Sequence, residues 1–148
     1  MQIYALLELK GPGNNELSRI TVFRDLAVAG VKFDELVDEL GLDAFTEREI
    51  EHEETLGRDT LRFAASDFDQ LLLCEMIIDA PKTDDGPMKL HTLVEIDTDG
   101  RVRTTPYLDV AAANIGLEDL LRALQDPETL AHSVQLVEPI LNGFADPA

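Results

Sequence analysis

The chain opens on an alternation. Ile3, Ala5, Leu7 and Leu9 fall on one side, and Gln2, Tyr4, Glu8 and Lys10 on the other. A period of two predicts a strand with one face in a core. Gly11-Pro12-Gly13-Asn14-Asn15 is a turn cluster. Residues 17 to 24 then bring β-branched Ile20, Thr21 and Val22 beside Phe23, which predicts a second strand paired to the first. A helix from Glu16 to Ala29, stopped by Gly30, competes for the same residues.

From Phe33 to Leu40 the spacing becomes helical, with Leu36, Val37 and Leu40 on one side and Gly41 as the stop. Thr46 and Glu49 match a capping box, and Phe45 and Ile50 stand at hydrophobic-staple spacing, so a second short helix is predicted over 47–56. Its inner face is thin, and a strand over 48–56 is the alternative. Thr60 to Ala65 reads as a strand. The apolar run Leu71 to Ile78 has the length of a buried strand, with a helix capped by Ser66 as the alternative. Pro81 to Pro87 reads as a polar loop. Leu90–Ile96 and Arg101–Thr105 flank Asp99-Gly100, a hairpin signal.

In the last third, Leu117, Leu120, Leu121 and Leu124 form a helical stripe. Asp126-Pro127-Glu128 reads as the start of another helix, with Leu130, Val134, Val137 and Leu141 as its stripe and Pro139 as a kink or stop. Together these elements predict an α+β fold, an antiparallel β meander with two short early helices and two C-terminal amphipathic helices, in one acidic domain over residues 1–148. From Ala131 to Ala145 the only charged residue is Glu138. Leu136 and Ile140 widen the apolar arc of the last predicted helix beyond what one core contact covers. Those two residues are the candidates for self-association as a homodimer.

Composition narrows the class. At 45% apolar and 28% charged residues the chain is globular rather than disordered. Its one cysteine, Cys74, excludes an internal disulfide and fits a reducing compartment. No leader-like n-region precedes a long apolar run, and no stretch reaches the roughly 18 residues of a membrane span. The expectation is a cytoplasmic protein that does not engage a membrane.

Charge changes the picture most. Thirty acids against twelve bases give −18, and such a field opposes direct contact with nucleic acid. Asp34, Glu35, Asp38, Glu39, Asp43, Glu47, Glu49, Glu51, Glu53 and Glu54 lie within 21 residues that hold one base, Arg48, a local charge of −9. The expected partner is a basic protein. Nine charges also match about 15 Å of duplex, at one charge per roughly 1.7 Å of axis, so the same segment suits a mimic of DNA.

No residue pattern announces catalysis or a cofactor. Glu95-x-Asp97-x-Asp99-Gly100 resembles the start of a calcium loop, but Pro106 stands where the twelfth-position carboxylate belongs. His52 among the acids of 47–54 has no second histidine nearby. His132 and Ser133 are adjacent, which on a helix turns them about 100° apart and prevents a nucleophile–base pair. Cys74, in an apolar run beside Glu75, reads as an inert core thiol. Gly11-Pro12-Gly13 lacks the lysine and spacing of a phosphate cradle, and tryptophan is absent. The expected function is a non-enzymatic protein–protein interaction module, an inhibitor or adaptor. The alternatives are a DNA-mimicking inhibitor of a nucleic-acid-binding or defence protein, and a small enzyme whose carboxylate site is assembled only by folding.

Overall fold

A computed structural model describes residues 1–10, 16–53, 56, 59–79, 87–97, 101–124 and 131–141. The alternating N-terminal segment forms β1 (Gln2–Lys10), and β2 (Glu16–Phe23) returns antiparallel to it. Helix α1 (Leu26–Leu40) follows, then the two-residue β3 (Asp43–Ala44), the short helix α2 (Glu47–His52), β4 (Thr60–Ala65) and β5 (Asp69–Ile77). These strands make a five-stranded sheet in the order β2-β1-β5-β4-β3, with all described pairings antiparallel.

The second half adds β6 (Met88–Lys89), β7 (His91–Asp97), β8 (Val102–Tyr107), α3 (Val110–Leu124), β9 (Ala131–Val137) and β10 (Ile140–Leu141). Strands β8-β7-β9 form a three-stranded antiparallel sheet, and β10 pairs with β6. The fold is therefore α+β and antiparallel.

Strand alternation divides the core in two. On one face of the large sheet, Ile3, Ala5, Leu7 and Leu9 of β1 join Leu72, Cys74 and Met76 of β5, Phe63 of β4 and Val22 of β2. The same cluster continues into Leu90, Val94, Ile96 and Leu141, so the three-stranded sheet packs on this face. On the other face, Leu6, Leu71, Leu73, Ala64 and Phe23 meet Ala29, Phe33 and Leu36 of α1. Helix α3 lies on the outside of the small sheet, where Tyr107 and Leu93 come within 3.2 Å of the Cβ that Gly116 lacks. The layers run helix, sheet, sheet, helix. Among the described residues, no helix is long and apolar enough to cross a membrane.

Several expectations require correction. The second C-terminal helix does not form. Residues 131–137 are strand β9, and Ile140 and Leu141 form β10. Val134 and Val137 match a helical stripe but are β-branched and pack better on a pleated surface, and Pro139 divides the stretch. The first helix begins at Leu26 rather than Phe33, capped by Asp25, whose side chain accepts from the Ala27 amide at 2.7 Å. Gly30, the stop of the competing helix over 16–29, lies inside it, and Gly41 ends it as expected, in the left-handed region at φ 64°. The large sheet is not a simple meander, because β1 pairs along its full length with β5. The start of that predicted helix at Asp126-Pro127-Glu128, and the expected turn at Asp99-Gly100, lie outside the described residues; β7 and β8 on either side of that turn do pair as a hairpin does.

Candidate interaction surface

The acidic segment runs through α1, β3 and α2. Helix α1 turns Ala29, Phe33 and Leu36, at i, i+4 and i+7, onto the sheet. The opposite side must then carry Asp34, Glu35, Asp38 and Glu39, and all four are exposed. Gly41 reverses the chain and its amide donates to the Val37 carbonyl, which lets the buried Leu42 fold back under the helix. Asp43 is exposed on β3.

Phe45 anchors the next turn, edge-on to Phe63 with ring centres 4.7 Å apart, and its amide donates to the Phe63 carbonyl at 2.8 Å. The capping box forms as expected. Thr46 Oγ1 accepts from the Glu49 amide, and Glu49 Oε1 accepts from the Thr46 amide, each at 3.2 Å. Ile50 and Phe45 hold α2 against the core, so Glu47, Glu49 and Glu51 point to solvent. Glu53 is half-buried, and Glu54 lies outside the described residues.

Eight of the ten expected acids therefore share one exposed stretch of surface. Two are neutralised locally: Arg62 Nη2 pairs with Asp34 Oδ1 at 2.7 Å, and Lys32 Nζ with Glu35 Oε2 at 3.7 Å. Among the described residues, Asp38, Glu39, Asp43, Glu47, Glu49 and Glu51 make no ion pair. What remains is a row of unpaired negative charge on short, well-anchored elements.

The other sequence candidates are placed as follows. His52 Nδ1 donates to the Arg48 carbonyl at 2.8 Å, back along its own helix. No group of three or more His, Cys, Asp or Glu side chains is arranged to hold a metal ion among the described residues. Cys74 is buried on the inner face of β5, and desolvation by burial pushes its thiol up to about 11, opposed by a hydrogen bond with Thr60 and assisted by the Asp59 charge. His132 and Ser133 lie on a strand, not a helix. Leu136 is half-buried and sits opposite Leu93, on the side of the small sheet that faces α3, while Ile140 is exposed on β10. The helical arc that joined those two does not exist.

One polar cluster has no sequence signal. Glu138 Oε1 lies 3.1 Å from His91 Nδ1, and its Oε2 lies 3.7 Å from Lys89 Nζ. With the Leu90 amide donating to the Pro139 carbonyl at 2.9 Å, it ties the turn after β9 to the start of β7. The partners stand 47 residues apart and are joined only by folding. No family model, no curated protein and no solved structure matches this chain.

Proposed function

We propose that this protein is a non-enzymatic interaction module, an inhibitor or adaptor, acting in the cytoplasm on a basic protein partner. The observation that carries the reading is the exposed row from Asp38 to Glu51, whose six acids outnumber its one base, Arg48, and make no ion pair among the described residues. A surface of one sign speeds and orients encounter with its opposite. The acids sit on a helix anchored by buried Phe33 and Leu36, and on a strand and a capped turn flanked by buried Leu42 and half-buried Phe45 and Ile50, so the charge is held in a fixed arrangement.

The test is kinetic. A basic protein retained by the chain from its native host at low salt is identified, purified and mixed with the parent and with a Glu47→Lys, Glu49→Lys, Glu51→Lys variant. The reading expects association to slow by at least about tenfold in the variant, with an unchanged circular dichroism spectrum and a steep salt dependence in the parent. Equal association rates would remove this surface from the interface. Competition by duplex DNA for the same partner would mark the module as a DNA mimic. Failure to compete, with the charge effect intact, would mark a basic site that does not bind nucleic acid.

A further inference from the structure

Among the described residues, the two larger sheets end in four edge strands, β2 and β3 in one and β8 and β9 in the other. An edge exposes unpaired backbone donors and acceptors, and proteins blunt it with charge, proline or brevity. Three of these edges are blunted. β2 carries Glu16 and Arg19, β3 is two residues long and includes Asp43, and β8 carries Arg103 and Pro106. β9 has none of these devices: Ala131-His132-Ser133-Val134-Gln135-Leu136-Val137 contains no Asp, Glu, Lys, Arg or Pro. In a chain with −18 net charge, an uncharged seven-residue edge is the seam along which a second, equally acidic copy can approach.

The helix above supports the same seam. Taking about 100° per residue, Gly116 lies about 60° to one side of the fully buried Ala113, and Leu117, Val110 and Leu121 lie about 40–80° to the other. Gly116 faces Tyr107 of β8 and Leu93 of β7. The opposite flank is therefore turned toward β9, the strand on the far side of β7. On that flank Val110 is 46% and Leu121 47% exposed. An apolar helix flank and an unblunted strand edge thus adjoin.

From these two observations we infer that β9 pairs antiparallel with β9 of a second copy, joining two three-stranded sheets into one of six with both α3 helices on the same face. The β9 residues in regular register with β7 run from Ser133 to Val137, and their midpoint is Gln135. A two-fold axis there sets Gln135 opposite Gln135, Val134 opposite Leu136 and Ser133 opposite Val137, with no charge meeting charge. Leu136 belongs to this seam, whereas Ile140, on β10, does not.

The axis gives a charge-swap test that uses the full-length chain alone, so its outcome is separate from that of partner binding. Gln135 is exposed, so replacing it leaves the core intact. Sedimentation equilibrium is expected to show the parent as a dimer at tens of micromolar. Gln135→Glu and Gln135→Lys each place like charges opposite one another and are expected to weaken dimerisation about fivefold or more. The lysine variant lowers the net negative charge, so its weakening cannot come from long-range repulsion. Mixing the two variants is expected to restore a heterodimer, which shows both are folded. A monomeric parent, or a dimer that both variants leave intact, would overturn the inference.

Discussion

The guanidinium carbon of Arg62 lies 4.3 Å from the centre of the Phe33 ring, so a strand residue caps the aromatic anchor of α1. The same guanidinium pairs with the neighbouring Asp34 at 2.7 Å. The Arg62 side chain is 40% exposed, so solvent screens both contacts. Arg62→Ala is expected to cost about 1–2 kcal/mol, from the cation–π contact, the ion pair and the lost cover over Phe33. Asp34→Asn, which removes only the screened charge, is expected to cost less than about 0.5 kcal/mol. Urea denaturation of the two variants measures the difference, and equal costs would place the energy in the ion pair instead.

Gly116 packs α3 against Tyr107. A Cβ there would stand 2.7 Å from the Tyr107 hydroxyl and 3.1 Å from Leu93 Cδ1. Alanine gains about 1 kcal/mol in helix propensity, but the crowding outweighs it. Gly116→Ala is expected to destabilise by about 1 kcal/mol net, and Gly116→Val by about 2–3 kcal/mol. Tyr107→Phe removes the nearest atom, so the pair Gly116→Ala with Tyr107→Phe should recover part of the loss. A double-mutant cycle by thermal melting reads this coupling.

Burial raises the Cys74 thiol from 9.0 to about 11 in the folded chain. Well below pH 9 the thiol is protonated whether the chain is folded or not, and its contribution to stability is complete. As pH climbs from about 9 to about 11 the unfolded chain loses the proton first, so stability falls. The loss attributable to this group is about 2 kcal/mol by pH 11. Cys74→Ala is expected to have a lower plateau, by about 1 kcal/mol for the small cavity, and a flatter alkaline limb. Parallel alkaline limbs in parent and variant would show that the thiol does not carry the effect. Alkylation by iodoacetamide at pH 8 should be slow in the native protein and fast in urea.

Net charge of −18 predicts a response to salt. Screening relieves repulsion along Asp38 to Glu51 and costs little elsewhere, because the described ion pairs are surface contacts. Raising NaCl from about 20 mM to about 1 M is expected to add about 1–2 kcal/mol, a rise in Tm of about 3–6 °C for a domain of this size. A falling Tm would mean that the ion pairs outweigh the repulsion.

Local order was legible wherever one signal stood unopposed. The alternation of Ile3, Ala5, Leu7 and Leu9 marked β1 and its buried face, and Thr46 with Glu49 marked the start of α2. The acidic surface was legible too, because exposure follows once the apolar side of α1 is known. Legibility failed where two periods fit the same residues. Leu130, Val134, Val137 and Leu141 fit a helix, yet β9 is a strand whose Leu136 meets Leu93 across the sheet, a contact with no trace in local spacing. Pairings between distant segments were equally hidden, as with Glu138 and His91, or β1 and β5.

The position of β1 between β2 and β5 sets a timetable for synthesis. Its Gln2–Lys10 edge is closed by Ile77–Asp69, which leaves the ribosome about 60–75 residues later, or about 3–15 s at ordinary elongation rates. Until then β1 has β2 on one side and an open, leucine-rich margin on the other. Slow translation between residues 11 and 68 prolongs the life of that margin and with it the need for a holding chaperone, while the finished chain seals the strand from both sides.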